Sequence, residues 1–406
     1  MCEVCMNAHF DQLHLNAHPL LKLFPGCTCH MKRAPGGGGG SVANLASCAM
    51  HGVAVLSDGR FVTGSRDSTV KVWKESSPGS GEWSVEATLT GHGGPVYCVA
   101  VADASTGEPR FVTGSGDTTV KVWKESSPGS GVWSVEATLS GHDSFVVCVA
   151  VLADGRLVTG SGDYTVNVWV ETSRGSGVWS VEMTLTEHSS AVCCVAVLPP
   201  LRSYGVEDAD ASTGEPRFVT GSRDGTVKVW KETSAGFGVW SVEATLTRRL
   251  GGHSSEVTCV AVLPNASTGE PRFVTGSHDG PVKVWVESSP GSDVWSVEAT
   301  LTGSNYVMCV AVLADGRFVT GSRYGMTNVW KEGSPGNGRW ELETFLGGRG
   351  RVRAGRRSRY PTRRAVYCVA VLPNSRFVAG FKDGMVKVWK EASPGSGTWD
   401  VEVYWR

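Results

Sequence analysis

The sequence predicts an all-β protein, a closed ring of seven four-stranded antiparallel blades. Three observations carry that expectation. Fourteen of the 15 tryptophans fall into seven pairs whose members are ten residues apart: Trp73/Trp83, Trp123/Trp133, Trp169/Trp179, Trp230/Trp240, Trp285/Trp295, Trp330/Trp340 and Trp389/Trp399. The first members follow one another at intervals of 50, 46, 61, 55, 45 and 59 residues, and the sequence around them repeats almost verbatim. Each unit holds four short β-prone segments and none of helical period, which at this repeat length indicates a β-propeller.

The second copy shows the elements in order. Residues 96–101 (VYCVAV) are a continuous apolar run, as expected of a strand buried on both faces. Residues 110–115 (RFVTGS) and 119–123 (TVKVW) are β-branched and aromatic segments on either side of a Gly-Asp turn. A Pro/Gly loop, 126–131 (SSPGSG), follows. Residues 133–139 (WSVEATL) alternate apolar and polar side chains, the pattern of a half-exposed outer strand.

A length of 406 residues alone suggests two or three domains. The repeat replaces that expectation with one propeller over 47–406, a Gly-rich linker over 35–46 and a Cys/His segment over 1–34. A hydrophobic content of 41 % excludes general disorder. The longest purely apolar run, 145–153, is far short of the ~18 residues that a membrane span needs. No basic start leads into an apolar stretch, so a cytoplasmic or nuclear protein is expected. No phosphate-binding G-x-x-x-x-G-K-[ST] loop occurs, and neither an enzyme nor a small-molecule substrate is expected.

Gly91-His92, then VAV, GSGD and VKVW, resemble the WD-repeat family, and the resemblance covers 47–406. One departure recurs: Lys or Val replaces the Asp that usually follows the third-strand Trp, as in Trp123-Lys124 and Trp169-Val170. The resemblance implies an internal His, Ser, Asp and Trp network in each regular blade. It is complete in four: His92/Ser115/Asp117/Trp123, His142/Ser161/Asp163/Trp169, His188/Ser222/Asp224/Trp230 and His253/Ser277/Asp279/Trp285. A Ser/His/Asp set invites a hydrolase reading, but four equivalent copies fit a repeated structural device better. Blade six has Ser304 and Tyr324 where His and Asp are expected, and blade seven has Thr362 and Phe381 for His and Ser. Blade one lacks a Gly-His, so the irregular blades meet at the seam between seven and one. Blade seven takes its outer strand from its own sequence after Trp399, so the expectation is that side-chain packing alone closes the ring.

Six of the 12 cysteines, Cys98, Cys148, Cys194, Cys259, Cys309 and Cys368, recur at one inner-strand position and read as small buried hydrophobes. At the N-terminus, Cys2, Cys5, His14 and His18 form C-x2-C-x8-H-x3-H. This spacing resembles the second half of a B-box zinc finger, which implies a structural Zn2+ at these four ligands. The first half of that module is absent, so a remnant that does not fold is the alternative.

Net charge is −1, yet 349–364 holds eight arginines and no acid: Arg349, Arg351, Arg353, Arg356, Arg357, Arg359, Arg363 and Arg364. This run is expected on the face that carries the Gly-His loops. The residue before each turn Asp is expected there too, reading Arg66, Gly116, Gly162, Arg223, His278, Arg323 and Lys382, and Arg248 and Arg249 enter the loop ahead of blade five. Glu108, Glu207, Asp208, Asp210, Glu215 and Glu270 fall in loops of the opposite face. A basic face implies acidic or phosphorylated protein partners, alone or in a multiprotein complex. The alternative partner is RNA or DNA at the Arg-rich loop, and the bland reading of that loop is a solvated insertion. The VTGS-Arg-Asp-x-Thr-VKVW pattern is also similar to WD-repeat proteins of the ubiquitin system, which implies a substrate- or ubiquitin-recognition role.

Overall fold

A computed structural model describes residues 50–102, 109–173, 175–199, 215–234, 238–265, 269–334, 337–346 and 365–405. They form seven four-stranded antiparallel sheets, each with its strands in sequence order. The blades span 50–89, 96–139, 146–185, 192–246, 257–301, 307–346 and 366–405. Within blade two the strands are Val96–Val101, Arg110–Ser115, Val120–Glu125 and Trp133–Leu139, innermost first. Each inner strand packs against the inner strands of its two neighbours, and the first packs against the last.

The ten-residue tryptophan spacing follows from strand register. Trp230 pairs with Val242, and Trp240 pairs with Glu232, two residues beyond Trp230 on the third strand. A bulge after Val229 sets that offset, so the two indoles converge on one phenylalanine of the second strand. Phe218 lies 6.0 Å from the Trp230 ring, stacked, and 4.9 Å from the Trp240 ring, tilted. This aromatic trio of one blade packs on the valines of the blade before it. Phe218, Trp230 and Trp240 of blade four cover Val158, Val166, Val168 and Leu185 of blade three. The propeller core is therefore seven such interfaces, each joining one blade's aromatic side to its neighbour's aliphatic side.

The seam is built the same way. Phe61, Trp73 and Trp83 of blade one cover Val378, Val386 and Val388 of blade seven. Blade seven takes its outer strand, Trp399–Trp405, from its own sequence. Packing is not the whole of the closure, however. Arg376 of blade seven donates to Glu75 of blade one at 2.8 Å, an ion pair that the expectation of packing alone lacks.

The inner-strand cysteines Cys98, Cys148, Cys194, Cys259, Cys309 and Cys368 are buried and form no disulfide among the described residues. Burial pushes the thiols of Cys98, Cys259 and Cys368 up to about 12, which keeps them protonated and unreactive. No described helix is long and apolar enough to cross a membrane.

Candidate functional site

The His, Asp and Trp side chains of blades two to five meet as the resemblance implies, but the hydroxyl that joins them is a different one. His92 Nδ1 lies 2.8 Å from Asp117 Oδ2, and its Nε2 lies 2.8 Å from Thr113 Oγ1. The same Thr113 hydroxyl accepts from Trp123 Nε1 at 2.8 Å. Thr159, Thr220 and Thr275 play this part for His142/Trp169, His188/Trp230 and His253/Trp285. Ser115 instead donates to the Gly94 carbonyl and accepts from the Asp117 amide. Ser161, Ser222 and Ser277 do likewise for Asp163, Asp224 and Asp279.

Register explains the correction. Phe111 pairs with Trp123 and Thr113 with Lys121, so Thr113 is the diagonal neighbour of Trp123 on its face of the sheet. Ser115, a further two residues along, is out of the indole's reach. Burial alone would raise the Asp117 carboxyl, but the Thr119 hydroxyl and amide, His92 and the Gly93 amide outweigh it and hold it at about 2. Burial pushes the His92 imidazole below its ordinary value, against the pull of Asp117. The hydroxyl facing each imidazole is fully enclosed, with Thr113, Thr159, Thr220 and Thr275 all at 0 % exposure. These four sets clamp the turn of each blade to its third strand. In blade six Ser304 accepts from Asn328 Nδ2 at 2.8 Å in place of the His–Asp contact, and Trp330 still donates to Thr320. Blade seven has Ala379 at the threonine position and Phe381 after Gly380.

The clamps fix the turns on the upper face, where the structure puts five of the predicted binding residues. In blades two to seven the amide of the residue before the turn Asp, or before Tyr324 in blade six, donates to the loop entering the inner strand, for example Arg223 to Ala191, His278 to Glu256, Arg323 to Tyr306 and Lys382 to Ala365, at 2.8–3.1 Å. This bond ties each turn to the loop that enters the inner strand of its own blade. Lys382 lies within electrostatic reach of Arg323 and Arg66, and burial together with these like charges pushes its ammonium below the ordinary lysine value. Arg323 stacks over the Tyr306 ring at 5.5 Å. Tyr306 holds a left-handed backbone, φ 53°, and its ring lies 5.5 Å from His278 and 5.6 Å from Tyr324. Arg223 and His278 share Glu256, at 3.6 and 3.4 Å. Arg223, His278, Arg323, Lys382 and Arg66 thus form one arc over blades four, five, six, seven and one, in which burial, partly offset by Glu256, holds the His278 imidazole below its ordinary value.

Blades two and three close the rest of the rim with glycine, for a packing reason. A Cβ at Gly162 would stand 2.5 Å from the Phe145 ring, and one at Gly116 would stand 3.1 Å from Pro95. Tyr97 and Phe145 fill that arc edge to face, 6.0 Å apart.

The lower face holds a second arrangement, which the sequence pattern above does not single out. At the start of every second strand an arginine reaches the glutamate at the end of the next blade's third strand: Arg60–Glu125, Arg110–Glu171, Arg156–Glu232, Arg217–Glu287, Arg272–Glu332, Arg317–Glu391 and Arg376–Glu75. Each arginine also meets a glutamate of its own outer strand, from Glu86 in blade one to Glu402 in blade seven. Most lie over the next blade's outer tryptophan, as Arg60 does over Trp133 at 5.4 Å. Burial alone would raise the Glu125 carboxyl, but Arg60 and the Gly131 and Gly129 amides hold it below the ordinary range. The signal was in the repeats, since Arg of RFVTGS, Glu of VKVWKE and Glu of WSVEATL recur together. Near this belt, Glu243, Glu287 and Asp293 cluster, and Arg217 and Lys231 already answer their charge.

Several predicted positions lie outside the described residues: Cys2, Cys5, His14 and His18, the arginines Arg349, Arg351, Arg353, Arg356 and Arg357, and Glu108, Glu207, Asp208 and Asp210.

The WD domain, G-beta repeat (WD40) family matches this chain seven times, at residues 43–74, 83–124, 133–170, 179–231, 244–285, 295–331 and 358–390. The chain belongs to the WD40-repeat family. Two relatives share shorter stretches of WD40 sequence with it. Over 102 residues it is 34 % identical to "Protein transport protein SEC13" of Mycosarcoma maydis, covering 24 % of this chain and 26 % of that protein. Over 110 residues it is 31 % identical to "Probable cytosolic iron-sulfur protein assembly protein 1" of Chaetomium globosum, covering 24 % of each. The chain thus spans about a quarter of the length of the curated relatives it matches. Among solved structures it superposes on the WD40 β-propeller domain of Doa1 with a TM-score of 0.59 at 21 % identity, over 84 % of this chain and 93 % of that one. That likeness concerns the fold.

Proposed function

We propose that this WD40 propeller is a non-enzymatic interaction scaffold whose upper cationic arc holds acidic or phosphorylated segments of protein partners. One observation carries the proposal. Lys382 stands among Arg323 and Arg66 with its charged form disfavoured by burial and by both neighbours, and an incoming anion relieves that repulsion. The rigid propeller supports the reading further, because loops fixed on a stiff scaffold are where binding residues concentrate. Partner capture with the wild type and with Arg66, Arg223, Arg323 and Lys382 all changed to Glu tests it. Loss of partners in the variant is expected, and recovery of the same partners by both proteins would refute the reading.

The matched segments of the transport and assembly proteins are repeat sequence, so their named roles are not carried over. A narrower role in the ubiquitin system is part of the proposal only through the resemblance of the repeat pattern. A cytoplasmic or nuclear setting belongs to the same reading. The second reading, a nucleic-acid scaffold, is favoured by the eight arginines of 349–364. Binding of that kind would fall steeply with salt and show little sequence preference. Zinc at Cys2, Cys5, His14 and His18 is proposed as a separate structural element. Metal analysis of the full-length protein that finds less than about half an equivalent of zinc per chain would reject it.

A further inference from the structure

Among the described connections between an outer strand and the next inner strand, the one entering blade five differs in kind. It runs six residues from Leu246 to His253, against two from Leu89 to His92, and the insertion reads Arg248-Arg249-Leu250-Gly251. Arg248–Leu250 form a single 3-10 turn, closed by Leu250 and Gly252 amides that both donate to the Thr247 carbonyl at 2.9 Å. Nothing on this turn is buried. It stands over a cavity of about 690 Å³ whose lining includes Arg223, Thr226, Arg248, Arg249, Ser255 and Glu256.

We propose that this cavity between blades four and five docks a peptide bearing phosphoserine or phosphothreonine beside an apolar side chain. The inference deepens the reading of the upper face as one for acidic partners and rests on it.

Charge complementarity selects the ligand. No described carboxylate forms an ion pair with Arg248 or Arg249, whereas every belt arginine meets two. The acids that line the cavity are committed elsewhere. Asp224 Oδ1 accepts the Thr226 amide and hydroxyl, and Oδ2 accepts the Ser189 amide and faces His188 Nδ1. Glu256 faces Arg223 and His278. Two adjacent guanidinium forks on a closed turn suit a dianionic phosphate, whose three free oxygens can meet both, better than a single carboxylate. Leu250, 59 % exposed on the same turn, offers an apolar contact to the residue beside the phosphate. No Phe, Tyr or Trp lines the cavity, and its one imidazole, His253, is buried against Thr275, so nucleic-acid bases would have no stacking surface.

The test uses the full chain and fluorescently labelled degenerate peptide pools with a fixed central phosphoserine, serine or glutamate. Wild-type protein is expected to prefer the phosphoserine pool at least about tenfold over both others, and Arg248→Glu/Arg249→Glu to lose at least about tenfold of that affinity. The milder Arg248→Gln/Arg249→Gln, checked for an unchanged melting curve, is expected to lose part of it. Loss of binding in this variant supports the proposal whether or not Arg66→Glu/Lys382→Glu also loses it. Equal binding of the three pools, no binding of the phosphoserine pool, or full binding by Arg248→Glu/Arg249→Glu overturns it. Loss in Arg66→Glu/Lys382→Glu with full retention in Arg248→Glu/Arg249→Glu overturns this site and leaves the broader reading standing. Conversely, the broader reading fails alone when the fourfold Glu variant keeps its partners but Arg248→Glu/Arg249→Glu still loses the phosphoserine pool. A labelled single-stranded RNA that binds through Arg248 and Arg249 when the phosphoserine pool does not would assign the cavity to nucleic acid.

Discussion

Arginine appears at both ends of the propeller, and its surroundings are opposite. On the lower face all seven belt arginines are buried, each between two glutamates, with Arg217 at 0 % exposure. On the upper face Arg66 and Arg323 crowd Lys382 with like charge. The sequence behaves in step. The belt arginine is the same in every copy, whereas the rim position reads Arg, Gly, Gly, Arg, His, Arg and Lys. Residues that hold one blade to the next must repeat because the interface repeats. Residues that meet a partner need not, because a partner is not sevenfold. Variation among otherwise near-identical units is therefore the better guide to the working surface.

The largest effect should come from breaking the belt. Arg217→Ala leaves Glu243 and Glu287 buried without their counter-charge, and should destabilise the protein by about 3–5 kcal/mol in denaturant unfolding. Arg323→Ala on the rim should change stability by less than about 0.5 kcal/mol. Comparable losses at the two ends would erase the distinction between them.

The clamps beneath the rim come next. Thr220→Val keeps the shape of the side chain but strips the hydroxyl shared by His188 Nε2 and Trp230 Nε1. Two buried polar groups lose a partner, for an expected loss of about 1–3 kcal/mol, read by the same unfolding curves. An effect near zero would mean that the turns of the upper face are held without this relay.

The fate of that threonine shows what the sequence could and could not express. Blade number, strand order and the inner-strand cysteines were legible because they depend on period and on hydrophobic pattern. Thr113 and Ser115 are both polar, both buried and two residues apart, so pattern alone cannot say which one faces Trp123; the pairing of Phe111 with Trp123 decides it. The belt was harder, because a charged residue on a strand reads by default as solvent-facing. Arg60 and Glu125 are 65 residues apart in sequence, and only the closed ring brings them together. The cationic arc was legible as a set of positions, but its limit at blades two and three depends on Phe145 occupying the space over Gly162.

Acid should act on both ends through a common sign. Asp117 and Asp279 titrate at about 2 in the folded chain against an ordinary 3.8, and the belt carboxyls Glu75, Glu125, Glu171 and Glu391 are also lowered. As pH falls, the unfolded chain binds protons first. The stabilisation is therefore complete above about pH 5 and drains away between about pH 4 and pH 2. Unfolding midpoints measured across that window should fall monotonically, and Asp117→Asn should make the fall shallower. A midpoint that is flat to pH 2 would contradict the lowered carboxyls.

The smallest effect has the most diagnostic sign. Lys382→Gln removes one of three neighbouring cations from a partly buried site, so the folded protein should gain stability, on the order of a few tenths of a kcal/mol. The same substitution should weaken capture of acidic partners. Stability given up at a rim position and retained as binding is what a recognition surface is expected to show, whereas every belt position should lose stability when its charge is removed. A Lys382→Gln protein that is both less stable and equally good at capture would place Lys382 with the belt arginines as a structural residue. The cationic arc would then shrink to Arg66, Arg223 and Arg323.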